Sequence, residues 1–537
     1  MNTFASLLSR RLVITLALLA LLATWIYMAN VAGTSPWYRH AEANLPTLTD
    51  SLALNNGVAP ARIAEPGLLS SYLLALDLRI RHGLHRLPVW NISTFGASTS
   101  PLHELQALVR LEQMHSRILI ILLILGGGAL ACSVVPGLES GCLTVVLLCG
   151  CAGLLYHGLT VQPELLSCGL GVVLALLCAW HGTNATNWRD HHGGLFLAGL
   201  FGGFAALVQT FGVIHLFAIY AWCWLAACSV PALRPGRPSI RVGLLPVASA
   251  ILLLWFAQRV SGTGATNEVI AERLRAMSLL VGLIPLVTLW SGANRRGAFL
   301  RERASEFALL CGGALAALTL AYATLRTILP ADAALVCWAD QLEHVFYPGQ
   351  FTVNILTAPA GIVREILRFI RASPFLYVSA IALAFTICQQ RDIPVRTKAF
   401  IVLLLATALG QTWQLAHSSF TESASVGVQV PLILVCAIAV LSAGPWPHRS
   451  GRRPWLAPVI LVVAAVLLVT APLRLHDNSP PEPSGDKSMV SGYTLTYLFD
   501  QHDHPPAYRQ MMQDHYGNRV DFERAAQEYL AQPGHRY

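Results

Sequence analysis

Charge is what this 537-residue chain has least of: Asp, Glu, Lys and Arg make up 12% of it, against 55% hydrophobic residues. A soluble domain carries about twice that charged share, so most of the chain has no water to face. Phosphate loops ending in lysine, zinc-binding helices and nucleophile elbows are absent, which removes the common nucleotide, metalloprotease and serine-hydrolase chemistries. Cysteine offers little more. Of 12 thiols most lie inside apolar runs, only Cys337 is expected outside, and no disulfide framework follows. Cys149 and Cys151 point about 200° apart on a helix, which suits packing rather than chelation. Acidic residues are also outnumbered, 28 against 36 Lys and Arg, for a net charge of +8. In a soluble protein that excess would suggest nucleic acid. Here it is explained by arginines kept in cytoplasmic loops, and no nucleic-acid partner is expected.

What is abundant is apolar sequence in runs of membrane-crossing length. Roughly thirteen such runs are expected, beginning near residues 12, 117, 142, 164, 194, 213, 242, 277, 305, 374, 398, 428 and 455. The fold class expected is all-α: a polytopic transmembrane helix bundle with interfacial helices in its first outer loop and a small C-terminal extramembrane tail. Arginines fall in alternate loops, behind Arg10 and Arg11, at Arg189, at Arg234 to Arg241, at Arg295 to Arg303, at Arg391 to Lys398 and at Arg449 to Arg453. Basic residues favour the cytoplasm, so the N-terminus is expected inside and the tail outside, in a multi-pass protein of a bacterial inner (plasma) membrane. Val13 to Ala32 reads as an uncleaved anchor rather than a signal peptide. Residues 1–475 form the bundle, with 34–116 as the first outer loop, and 476–537 form the tail. Gly199 with Gly203, and Gly126 to Gly128, make smooth faces suited to close helix contact in lipid.

The loop 34–116 is too long for a turn and too apolar for a linker. Leu68 to Leu84 reads as an amphipathic helix with Leu69, Tyr72, Leu73, Leu76 and Ile80 on one side, and a second runs from Pro101 to Glu112. Such helices lie along a membrane surface. Around them stand Glu42, Asp50, Asn55, Asn56, Glu65, Asp77 and Glu104, which places carboxylates at the outer hydrocarbon boundary.

This arrangement resembles the GT-C type of glycosyltransferase, multi-span enzymes of the dolichyl-phosphate-mannose mannosyltransferase kind that transfer sugar from a polyprenyl-phosphate carrier outside the cytoplasm. The residues that carry the likeness are a basic amino terminus before one span, the segment Asp50-Ser51-Leu52-Ala53-Leu54-Asn55-Asn56-Gly57, the step Glu65-Pro66-Gly67, and Ser71-Tyr72-Leu73-Leu74-Ala75-Leu76. Gly194 to Arg237 is a second echo, a glycine- and alanine-rich span followed by an apolar one ending in a basic turn. The chain departs from the pattern in two places. Asp50 lies well beyond the first span and has Ser51 beside it, and Glu65 stands where relatives often have histidine.

The resemblance implies a lipid-linked sugar donor, contact with membrane lipids, and an acceptor that is a glycan, a lipid or a protein. It implies Asp50 as general base for the acceptor hydroxyl, a role that contributes about 10² to 10⁴-fold. The leaving phosphate needs positive charge or a metal. Arg62 and Arg79 are candidates among the outer arginines, with Glu65, Tyr72 and His417 as further substrate-binding candidates. Glu164, after His157, is the candidate ligand for a divalent cation, Mg or Mn, that it would share with Asp50. His181, Gln209, His215 and Gln414 lie in or near spans, where polar groups mark function or helix-to-helix hydrogen bonds. In the tail, Asn478 to Lys487 reads as a linker, His502 and His504 sit in a polar turn, and Tyr508 to His515 and Asp521 to Leu530 read as short helices that dock on the outer face. A transporter or flippase for a lipid-linked substrate, and a catalytically inactive scaffold of the same fold, remain the alternatives.

Overall fold

A computed structural model describes residues 2–34, 36–60, 67–158, 163–184, 188–208, 214–216, 219–220, 240–261, 265–290, 295–335, 337–338, 374–390, 392–417, 426–443, 498–499 and 504–532. Every regular element among them is helical. The bundle consists of α1 (Asn2–Thr34), α5 (Pro101–Val134), α6 (Leu138–Cys149), α7 (Ala152–His157), α8 (Pro163–Asn184), α9 (Trp188–Val208), α10 (Ile240–Val260), α11 (Ala265–Trp290), α12 (Arg295–Ile328), α13 (Pro374–Gln389), α14 (Val395–His417) and α15 (Val426–Ala443). A second layer holds α2 (Ala41–Asn55), α3 (Leu68–Gly83), α4 (Ile92–Gly96), α16 (Pro506–Tyr516) and α17 (Arg519–Ala531).

Three stretches are long and apolar enough to cross a membrane, Arg11–Val31, Pro101–Val134 and Arg303–Ile328, and seven shorter apolar helices accompany them. Their outward faces stay apolar: Leu12, Leu18, Leu122, Ile251, Leu279 and Phe385 are between 58% and 69% exposed. Large apolar side chains turned outward in this density need lipid as solvent, so the chain is an integral membrane protein. The spans expected near 213 and 455 fall largely outside the described residues.

Small residues set the tightest helix pair. A Cβ at Gly203 would stand 2.8 Å from the Ala314 carbonyl oxygen, and one at Gly313 would stand 2.6 Å from the Leu200 nitrogen. The backbones of α9 and α12 therefore touch, as the Gly199 and Gly203 pattern predicts for helices packing in lipid. A second contact of the same kind joins α5 to α6, where a Cβ at Gly128 would lie 3.1 Å from the Gly141 carbonyl oxygen.

One expectation about the first loop changes, and one helix is added. The helix read as ending at Glu112 continues without a break into the span, as one helix of 34 residues. Nothing in Gln113-Met114-His115-Ser116 breaks a helix, and at 1.5 Å per residue the rod is about 50 Å long, so its first turns stand up from the bilayer instead of lying on it. The loop boundary placed at 116 runs through this rod. The added helix is α2. Burial on every side leaves it no amphipathic period, and Pro46 inside it reads as a breaker.

The upper layer has its own core, in which Trp37, Leu48 and Phe95 pack with Tyr508, Met512 and Phe522. The tail helices thus dock on α2, α4 and α5, and a Cβ at Gly96 would approach the Met511 side chain at 2.9 Å. Gly67 joins the layer to the bundle. Its φ is +90°, and a Cβ there would lie 2.6 Å from the Val208 carbonyl carbon, so the entry to α3 sits directly on the end of α9.

Candidate functional site

Helix α2 is buried all round, polar residues included. Asn44, Thr47, Thr49, Asp50 and Ser51 are no more than 1% exposed. The Ser51 hydroxyl donates between the Thr47 carbonyl of its own helix at 2.5 Å and the Ser71 carbonyl of α3 at 2.8 Å, a shared bond that links α2 to α3. At the end of α2, Asn55 Nδ2 donates to the carbonyls of Ala75 and Trp90, each at 2.9 Å. The chain then turns through Asn56 and Gly57, where φ is +74°, and Asn56 Oδ1 accepts from Ser93 Oγ at 2.7 Å. From the tail side, Thr49 Oγ1 lies 3.2 Å from His504 Nδ1. Asp50 is therefore enclosed at 0% exposure rather than held in water at the hydrocarbon boundary. The helix is packed by α3, α4 and α5 and is met from the tail at Thr49.

On the membrane side of α3 lies a cleft of about 310 Å³, lined by Leu68, Leu69, Tyr72 and Leu73 of α3, by Phe204 and Leu207 of α9, and by Leu320, Ala321, Thr324 and Leu325 of α12. Its walls are apolar apart from the Tyr72 and Thr324 hydroxyls. The expected apolar side of α3 thus borders lipid and this cleft: Leu73, Leu76 and Ile80 are 41% to 51% exposed, whereas Leu68, Ser71, Leu74, Ala75 and Leu78 are the buried set. Asp50 does not line the cleft.

Tyr72 is in the cleft wall, and Arg79 is two turns further along the same helix. The Arg79 guanidinium lies 5.6 Å over the Trp90 ring, a cation–π contact, and that ring also stacks on His82 at 5.1 Å. Beside them, Asp77 pairs with Arg81 at 2.7 Å and approaches His115 at 3.4 Å. Arg62 and Glu65 lie outside the described residues, as does the side chain of His417, whose backbone ends α14.

Glu164 belongs to a separate cluster at the start of α15. Its Oε1 accepts from the Gly427 N–H at 3.0 Å, capping α15 where the helix dipole favours a carboxylate. Its Oε2 stands 3.5 Å from His157 Nε2. Beside it Gln429 Oε1 accepts from the Gly153 N–H at 2.9 Å. Both Glu164 oxygens thus face protein groups, and among the described residues no three His, Cys, Asp or Glu side chains converge to hold an ion. These donors do not fit a divalent cation, and no step below passes through one.

Sequence reading gave no site role to three residues that the fold singles out. Glu112 is 1% exposed, and neither carboxyl oxygen has a hydrogen-bond partner among the described residues. His157 is fully buried against Glu164. His504, read as part of a polar turn, reaches α2. The pair Pro505-Pro506 was the available signal, because it stiffens the chain on which His504 is presented.

No family model and no curated protein sequence matches this chain. Solved structures of the oligosaccharyltransferase of Archaeoglobus fulgidus do. One, in complex with zinc and sulfate, matches with a TM-score of 0.47 and 14% identity over 89% of this chain and 55% of that one. Another, the archaeal oligosaccharyltransferase AglB in complex with an inhibitory peptide and a dolichol-phosphate, matches with a TM-score of 0.47 and 14% identity over 93% of this chain and 59% of that one. The chain spans little more than half the length of those proteins, and at this degree of likeness neither activity nor ligands carry over.

Proposed function

We propose that this chain is a membrane glycosyltransferase of the GT-C type that moves a sugar from a polyprenyl-phosphate carrier to an acceptor on the extracytoplasmic side. The observation that carries the reading is the cleft beneath α3, apolar, bordered by lipid-facing leucines and built on the same two-helix unit that bears Asp50. An isoprenoid chain suits such walls, since burying it contributes about 25 cal/mol per Å². Tyr72 at the cleft wall would offer a hydroxyl to the carrier headgroup, and Arg79 a charge. Arg62, Glu65 and His417 are retained as further headgroup candidates on sequence grounds.

In this reading the acceptor hydroxyl oxygen bonds to the anomeric carbon as that carbon parts from the phosphate oxygen. The hydroxyl proton passes to the Asp50 carboxylate, and polyprenyl phosphate leaves with the electron pair. Asp50→Asn hardly alters volume but removes the base, so transfer from a polyprenyl-phosphate sugar in proteoliposomes should fall about 10² to 10⁴-fold, with the melting temperature held within a few degrees. Undiminished transfer would remove Asp50 from the chemistry.

The full burial of Asp50, away from the cleft, favours a second reading, a catalytically inactive scaffold that binds a polyprenyl lipid. Wild-type protein that binds polyprenyl phosphate but transfers no sugar from any supplied donor would support it.

A further inference from the structure

The contact between Thr49 and His504 has a direction. The Thr49 hydroxyl has one proton, and it faces two carbonyls of its own helix, Leu45 at 2.9 Å and Pro46 at 3.2 Å. With that proton on a carbonyl, an oxygen lone pair faces the third neighbour, and His504 Nδ1 at 3.2 Å is the donor in the tautomer that matches. The imidazole is 0% exposed, and the tautomer with its proton on Nδ1 is the one this arrangement favours.

What presents that ring is rigid. Pro505 and Pro506 follow at the start of α16. The Tyr508 ring lies 4.8 Å from the imidazole and stacks on Phe95 of α4 at 6.1 Å, while its hydroxyl donates to the Leu498 carbonyl at 2.9 Å. The tail thus touches α2 by a hydrogen bond at the residue preceding Asp50, and Ser51, the residue following it, is bonded to α3.

We infer that His504 is a positioning residue: through Thr49 it fixes the rotation of α2 about its axis and so the direction in which the Asp50 carboxylate is held. The inference rests on the transferase reading for its effect on rate, and on the geometry alone for the coupling. A helix pinned on both sides of one residue cannot turn that residue away without breaking a buried hydrogen bond.

The test uses the full chain in proteoliposomes with four single variants, Thr49→Val, Thr49→Ser, His504→Ala and His504→Asn, and the Thr49→Val/His504→Ala double. Thr49→Val and His504→Ala should each lower kcat roughly fivefold to tenfold with KM for the lipid donor unchanged, and the double variant should lose no more than either single. His504→Asn supplies an N–H near the Nδ1 position, and Thr49→Ser supplies the hydroxyl, so both should recover most of the rate. Protection of residues 506–531 from protease in the intact chain should be unchanged throughout. Additive losses, failure of the Asn variant to recover, or a tail released in step with the rate would each overturn the inference. If wild-type protein transfers no sugar, the transferase reading fails separately, and the same five variants in thermal melts decide the coupling: a non-additive cycle upholds the contact, and an additive one removes it.

Discussion

The Tyr529 hydroxyl, on the last helix of the tail, donates to Gln106 Oε1 in the first loop at 2.7 Å and lies 3.4 Å from His103 Nδ1. Tyr529→Phe keeps the ring in the core and removes only this link. It should cost about 1 kcal/mol of tail docking, read as faster proteolysis between 506 and 531 with the bundle still folded. No change in that rate would mean the apolar contacts alone hold the tail.

Alkaline pH should loosen the same interface. Burial is the main cause that raises the phenols of Tyr516 and Tyr529 from the ordinary 10 to about 12, with the Glu104 charge adding to the shift at Tyr529. A folded-state pKa above the unfolded one means that the stabilisation is complete below pH 10 and is lost as pH rises through 12. Tail docking should therefore weaken between pH 10 and 12, and Tyr516→Phe/Tyr529→Phe protein should show less of that loss. An equal loss in the double variant would assign it to other groups.

Gly203→Leu should prevent α9 and α12 from pairing, because even a Cβ meets backbone there. Overpacking costs about 1 to 3 kcal/mol where side chains can give way, and more against backbone. Size-exclusion profiles in detergent should shift to aggregate. Gly169→Ala, with nothing within 4 Å of the new Cβ, is the control and should behave as wild type.

Spin labels at Leu76 and Ile80 should report lipid, since both side chains point out of the protein, while a label at Leu78, wholly buried, should report protein packing or disturb the fold. Water-level accessibility at both Leu76 and Ile80 would remove α3 from the membrane surface and the cleft beneath it from reach of a lipid carrier.

Much of the bundle is written in the sequence because lipid imposes one rule, that every crossing be a long apolar helix. Gly199 and Gly203 were legible for a similar reason, since small residues four apart have one use between helices. Helix α2 was not legible, because Asn44, Thr47, Asp50 and Ser51 are buried on a helix with no apolar face, and the partner that Thr49 meets, His504, lies 455 positions away. Candidate site residues were legible as types and not as neighbours. Tyr72 and Arg79 share α3, but Glu164 belongs to the α15 cap, and sequence spacing gave no sign of Gly427. The docked tail also constrains topology: it shares a core with the first loop, so the two lie on one side of the membrane and the crossings between them must be even in number.

The reach of those tail contacts bears on the order of biosynthesis. Thr49 and His504 are separated by 455 positions, and at ribosomal speed that interval takes roughly 20 to 90 seconds. Through all of it Thr49 waits without its partner from the tail, while later helices are still being made. A chain halted before residue 504 would carry its bundle yet lack the contact at Thr49. A partner made 455 positions later thus completes the contacts of the helix that carries Asp50.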